Sequence, residues 1–225
     1  MRAVLVTGAG RGLGAAIAGR LREDGYAVVG ADLQGGDLAA DVREQADWEV
    51  AARALLAAGE PWGLVNCAAR TIVRDLFAIE QDEWDDVLAV NLRGPFLGIR
   101  AIGPHLRERG AGRIVNIASD SAFNGRGVTG AHYAASKAGL ITLTRRAAAA
   151  LAGAGVTVNA VAPGTVEGET VRELAGDRLD ELAGEVPLGR LGRAEELAAL
   201  VAWLVSDEAS YVTGATLVAD GGAGL

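Results

Sequence analysis

Of the 21 basic residues in this 225-residue chain only one is a lysine, Lys137, and it stands four positions after one of just three tyrosines. On a helix, positions i and i+4 share a face, so Tyr133-Ala134-Ala135-Ser136-Lys137 would present a phenol and an ammonium side by side. A phenol titrating near 10 is a poor base at neutral pH, and a neighbouring cation stabilises the phenolate and lowers that value. The pair therefore predicts a tyrosine acid/base assisted by a lysine. A single lysine falls at that offset from a tyrosine in roughly one placement in a hundred, so a plain surface pair on an amphipathic helix is the poorer reading. Upstream, an apolar run ends in Ser119-Asp120-Ser121. A hydroxyl at the carboxyl end of a strand can hydrogen-bond a reacting oxygen and stabilise the charge that develops on it. Ser119 directly ends the run and is the first choice; Ser121 is the reserve, and a turn-initiating serine is the ordinary alternative for either.

A second constellation opens the chain. Thr7-Gly8-Ala9-Gly10-Arg11-Gly12-Leu13-Gly14 leads from a strand-like run into a helix-like one. Glycines permit a tight turn and let backbone N–H groups approach a pyrophosphate, whose charge suits a helix N-terminus. With 32 glycines in the chain the spacing alone is weak, and the context carries the reading: strand before, helix after, and Asp32 ending the next strand. That carboxylate would accept hydrogen bonds from an adenosine ribose and repel a 2′-phosphate. Arg11 could pair with such a phosphate, but Asp32 lies where the ribose is read and its neighbour Leu33 offers no positive charge. NAD is thus expected over NADP. Asp41-Val42 would bracket the adenine, with Asp41 near its amino group, unless Asp41 is an ordinary helix N-cap before Arg43. No metal site is expected.

These residues need a frame. Apolar runs at 3–6, 27–31, 63–65, 113–118, 156–162 and 215–219 alternate with helix-like stretches at 13–24, 44–58, 80–109, 132–152 and 194–204. Alternation with almost continuously apolar strands predicts an α/β fold, a doubly wound parallel sheet of about seven strands covered by helices on both faces. The length suits one domain, 1–225. Residues 165–187, rich in Gly and acidic side chains, are expected to form a mobile lid over the carboxyl ends of the strands, where such sheets bind ligands.

Composition narrows the class. A net charge of −8 argues against nucleic acid and anionic membranes as partners. One cysteine, Cys67, cannot form an intrachain disulfide. The first apolar run stops at Thr7-Gly8, too soon for a signal peptide, and no run reaches membrane-spanning length, so a cytoplasmic protein is expected.

Taken together, the glycine loop, Asn66-Cys67-Ala68-Ala69, Asn91, Ser119, Tyr133-x-x-x-Lys137, Pro163-Gly164 and the closing Asp220-Gly221-Gly222 resemble the short-chain dehydrogenase/reductases, essentially from end to end. The resemblance implies a Rossmann-like NAD(P)-dependent oxidoreductase and a homotetramer or dimer built across the long helices around 80–109 and 132–152. It implies Tyr133 as acid/base, Lys137 as the residue that tunes it and binds the nicotinamide ribose, Ser119 positioning the substrate oxygen, and Asn91 holding a helix break and the water of a proton relay. Gly8, Gly10, Arg11, Gly12, Leu13, Gly14, Asp32, Leu33, Asp41, Val42, Asn66, Ala68, Pro163, Gly164 and Val166 would contact the cofactor. The sequence departs from the family pattern in three places. Cys67 and Ala69 replace a polar residue and a glycine, with Cys67 read as a small buried side chain rather than a nucleophile. Gly168 stands where a nicotinamide-contacting Thr is usual, leaving Thr165 or Thr170 as substitutes. The stretch from Asp32 to Asp41 is short. The loop 119–126 looks like that of dehydrogenases acting on cyclic dihydrodiol-type alcohols. Ala154 stands where carrier-protein reductases commonly have Arg, and the acidic lid disfavours an acidic carrier, although Arg145-Arg146 offers a small basic patch. A small, cyclic secondary alcohol or ketone is the expected substrate, with an NADPH-dependent ketoreductase, including the 3-oxoacyl type, as the alternative.

Overall fold

Seven parallel strands make the frame: β1 (Arg2–Thr7), β2 (Ala27–Asp32), β3 (Leu38–Ala39), β4 (Glu60–Asn66), β5 (Gly112–Ile117), β6 (Val156–Pro163) and β7 (Thr216–Ala219), in the order β3-β2-β1-β4-β5-β6-β7. The computed structural model describes residues 1–124 and 129–225, excepting the side chains of Thr170, Leu174, Ala175 and Asp177. β1 is flanked by β2 on one side and β4 on the other, so the winding reverses between β1 and β4. At that reversal the loops after the two strands part and leave a crevice.

Strand side chains alternate between faces, and both faces are apolar. Ala3 and Leu5 of β1 join Leu64, Ile114, Val156 and Val158 on one side. Helices α2 (Gln45–Ala58), α4 (Gly94–Arg109) and α5 (Ala131–Leu151) cover that side with Trp48, Leu55, Ile102, Leu106 and Leu151. Val4, Val6, Val65, Val115 and Val161 face the other side under α1 (Gly12–Glu23) and α8 (Ala194–Val205). Two-sided burial is why the strands read as unbroken apolar runs. Asp32 to Asp41 holds only the two-residue β3, as its length predicts.

The long stretch 80–109 is not one helix. It divides into α3 (Gln81–Leu88) and α4, joined by a π-helical turn at Ala89–Arg93 that contains the fully buried Asn91. Between β6 and α8 the chain forms two short helices, α6 (Glu169–Ala175) and α7 (Leu179–Gly184). They are anchored by a small apolar cluster of Leu182, Val186 and Leu191 with Val171, Leu179 and Ala223.

Candidate active site

The carboxyl ends of β4, β5 and β6 and the start of α5 converge on a cleft of about 740 Å³, bordered on its outer side by Val171, Leu182 and Val186. Tyr133 and Lys137 occupy the first turns of α5. Lys137 is buried, and its Nζ donates to the Ile117 carbonyl, the last of β5, at 2.7 Å. It lies 5.5 Å from the centre of the Tyr133 ring. The helical i, i+4 spacing thus brings the two together, as the sequence predicts.

Their electrostatics differ from the sequence argument. Burial pushes Tyr133 up to about 12, against smaller opposite pulls from the Ser119 and Thr71 hydroxyls. Burial also pushes Lys137 down to about 8. In the protein alone, desolvation therefore outweighs the cation beside the phenol, and Tyr133 holds its proton at neutral pH. A phenol in that state is a proton donor.

Ser119, buried at the end of β5, faces the cleft. Its Oγ donates to Asp120 Oδ1 at 3.1 Å and lies 2.7 Å from the Ser121 hydroxyl. Asn91 does not reach Tyr133 or Lys137 directly. Its Nδ2 donates to the Ser136 hydroxyl (3.1 Å), and its amide clamps the Arg70 backbone, accepting from N–H at 2.8 Å and donating to C=O at 2.9 Å. That clamp fixes the strand-like loop carrying Thr71, the cleft residue that faces the phenol. Thr71 escapes sequence reasoning because nothing in its local pattern marks it; a residue 20 positions later holds its neighbour in place.

The glycine loop lies at the mouth of the crevice. Gly8 and Gly12 adopt left-handed backbone angles, φ +70° and +54°. A Cβ on Gly14 would collide with the Gly8 carbonyl, and one on Gly10 with the Gln34 carbonyl. Gly12, by contrast, faces open space. The loop is thus packed tightly from behind and open in front, at the start of α1, an arrangement that fits a pyrophosphate. Asp32 Oδ2 accepts from the Gly10 N–H at 2.9 Å, so the acid that ends β2 is also a brace for this loop. Leu33 is 64% exposed. Arg11 is exposed, with no ion pair among the described residues. Thr7 Oγ1 ties the loop to the next strand end by accepting from the N–H groups of Cys67 (3.1 Å) and Ala68 (3.2 Å).

The remaining expected residues take several places. Asn66 turns its amide inward, donating to Asn116 Oδ1 at 2.8 Å, because β4 carries it below the crevice floor. Asp41 is not the N-cap of α2, which is Glu44. Its carboxylate is gripped by Arg43, bidentately and at 2.6 Å at the shortest, which holds it below the usual carboxylate range. The Val42 carbonyl accepts from the Trp48 indole. Leu13, Pro163, Gly164, Thr165 and Val166 all line the cleft. Thr170's side chain, and Gly125 and Arg126 of the 119–126 loop, lie outside the described residues. Burial pushes the Cys67 thiol up to about 11, which keeps it unreactive at neutral pH.

Residues 8–224 match a family profile described as enoyl-(acyl carrier protein) reductase. The chain belongs to the short-chain dehydrogenase/reductases. Over 97% of its length it is 40% identical to the short-chain reductase protein NovJ of Streptomyces niveus, covering 92% of that protein. It is 39% identical to the 3-oxoacyl-[acyl-carrier-protein] reductase FabG of Salmonella typhimurium, again over 97% of this chain and 95% of the relative. Among solved structures, it superposes with TM-score 0.91 and 35% identity on a protein from Beutenbergia cavernae, named as a candidate NAD(P)-dependent gluconate 5-dehydrogenase with NADP bound at low occupancy; 98% of this chain and 96% of that one are covered. The short-chain dehydrogenase/reductase assignment makes this an NAD(P)-linked oxidoreductase acting at CH–OH or keto groups. Among the described residues no helix is long and apolar enough to cross a membrane, and no cluster of His, Cys, Asp and Glu could hold a metal ion.

Proposed function

We propose that the protein is a ketoreductase that converts a small ketone to its secondary alcohol, with Tyr133 donating the proton, Ser119 positioning the oxygen and Lys137 holding the nicotinamide ribose. The observation that carries this reading is the convergence of Ser119, Tyr133 and Lys137 on one cleft, in a chain whose relatives are named as reductases. A phenol held as the acid suits protonation of the oxygen as the carbonyl is reduced. The nicotinamide cofactor supplies the hydride. The names of the relatives, NovJ and FabG, support a reductase more than the cyclic-alcohol oxidation that the 119–126 loop suggests. A free ketone is favoured over a carrier-bound one by the net charge of −8 and by the acidic segment 165–187, whose Glu185 borders the cleft, because both oppose an acidic carrier. We assign residues 165–187 as the lid, because Arg178, Leu182 and Glu185 border the cleft from that segment.

NADP in the Beutenbergia relative supports NADPH as reductant, and Arg11 is a side chain able to meet a 2′-phosphate. A second reading, NADH, has Asp32 behind it, since a carboxylate braced under Gly10 stands where that phosphate would sit. Association through the helices of 80–109 and α5 is supported by the exposed Trp84 of α3 and Phe96 of α4. The deciding experiment measures kcat/KM for free and carrier-bound ketones with each nicotinamide. Turnover of free ketones is expected; activity only on carrier-bound 3-oxoacyl substrates would overturn the free-ketone reading, and no turnover of any ketone would overturn the ketoreductase reading.

A further inference from the structure

Asp120 has no part in the chemistry above, yet its carboxylate borders the cleft immediately beside Ser119. A serine hydroxyl has one proton to give. Here Ser119 Oγ lies 3.1 Å from Asp120 Oδ1, which can only accept, 2.7 Å from the Ser121 hydroxyl, which can give or take, and beside the Tyr133 phenol, while the Ser121 N–H donates to it at 3.3 Å. With its proton turned to Asp120, Ser119 offers a reacting carbonyl oxygen only lone pairs.

The carboxylate itself is poorly solvated. Burial and the charge of Asp220 hold Asp120 above the usual carboxylate range, and hydrogen bonds from Ser119 and the Ser121 backbone offset this only in part. A desolvated acceptor is costly until a donor meets it. A ketone with only apolar substituents would deepen that cost by displacing water from the cleft. A ketone with a hydroxyl on the carbon next to the carbonyl would relieve it. That hydroxyl can donate to Asp120 and release the Ser119 proton toward the carbonyl oxygen. The reach is adequate: the reacting oxygen lies about 2.8 Å from Ser119 Oγ when hydrogen-bonded, and Asp120 Oδ1 lies 3.1 Å beyond it at most. An ammonium in place of the hydroxyl is disfavoured, since the Lys137 cation lines the same floor.

We propose that Asp120 is a specificity-determining residue that selects ketones bearing a hydroxyl on the carbon adjacent to the carbonyl. The proposal rests on the ketoreductase reading. It is tested by kcat/KM for 2-hydroxycyclohexanone and cyclohexanone with wild type, Asp120→Ala and Asp120→Asn. Wild type is expected to favour the hydroxyketone by about tenfold or more, the worth of one hydrogen bond to a charged group. That ratio should collapse to near unity in Asp120→Ala and fall in Asp120→Asn, which is nearly isosteric and carries the test if the alanine variant does not fold. Turnover of both ketones with no wild-type preference, or with a preference that survives both substitutions, overturns the role of Asp120 alone. No turnover of either ketone by wild type overturns the ketoreductase reading and this proposal with it.

Discussion

Tyr133 and Lys137 show what spacing reveals and what it leaves out. The offset of four placed both on one helical face, and the lone lysine made the pair conspicuous. Their titration was not legible, because it depends on burial created by packing against β5 and the loop at Thr71. Burial raises Tyr133 to about 12 and lowers Lys137 to about 8, each toward its neutral form. Tyr133→Phe removes the proton donor and is expected to cut ketone reduction by about 10²–10⁴-fold with the fold intact, read by turnover and circular dichroism. Lys137→Arg keeps the charge but replaces a compact ammonium with a broad guanidinium in a buried slot against Ile117, and most activity should be lost. Reduction in the wild type should decline as pH rises through about 8, where Lys137 gives up its proton. Stability moves the other way. The unfolded chain keeps the lysine proton to about 10.5 while the folded chain releases it near 8, so folding gains with pH across that interval. The difference in unfolding free energy between wild type and Lys137→Met should rise there by up to about 3 kcal/mol, measured by denaturant titration at several pH values.

Among the elements, the strands and main helices were readable because two-sided burial leaves unbroken apolar runs and helices keep their own period. Composition does not mark the π-turn at Ala89–Arg93, since it continues the helical pattern there, and only the family resemblance implied a helix break at Asn91. Asn91 marks it: its side chain spends three hydrogen bonds on Arg70 and Ser136. Asn91→Leu would strand the buried Ser136 hydroxyl and the half-buried Arg70 backbone groups, and a loss of about 1–3 kcal/mol in stability is expected by chemical denaturation. Asp41 shows the converse failure. Its position before a helix suggested a cap as the ordinary alternative, and the carboxylate instead pairs with the neighbouring Arg43, Glu44 being the cap. The glycine loop separates two kinds of glycine. Gly14→Ala forces a methyl onto the Gly8 carbonyl and should lower the melting temperature sharply. Gly12→Ala meets open space and only the strain of a left-handed angle, roughly 1 kcal/mol. Its larger effect should be weaker cofactor binding, read by nucleotide fluorescence titration.

Across the whole molecule, the chemistry gathers at the carboxyl edge of the sheet, and a structural cluster occupies the strands' amino edge. There Trp62 is buried, donates its indole N–H to the Val205 carbonyl at 2.8 Å, and is stacked by Arg2, Arg109 and Arg113. Three guanidinium groups on one indole absorb part of the chain's arginine excess, something a count of charges does not disclose. Trp62→Ala should cost about 3–5 kcal/mol of stability, as judged by urea unfolding, and leave KM for ketone and cofactor nearly unaltered at low temperature.

The bond between Thr7 and the Cys67-Ala68 backbone has a consequence for inheritance. Gly8 sits so close to Ala68 that a Cβ at position 8 would come within 2.8 Å of the Ala68 backbone. Two loops 60 residues apart in the chain therefore share one narrow space at the seam where the sheet reverses. Neither can drift alone: a mutational path that enlarges position 8 is closed until the backbone around 68 withdraws, and that withdrawal would break the threonine tie. The seam couples the two loops, so the effects of changes at Gly8 and at Ala68 should not be additive.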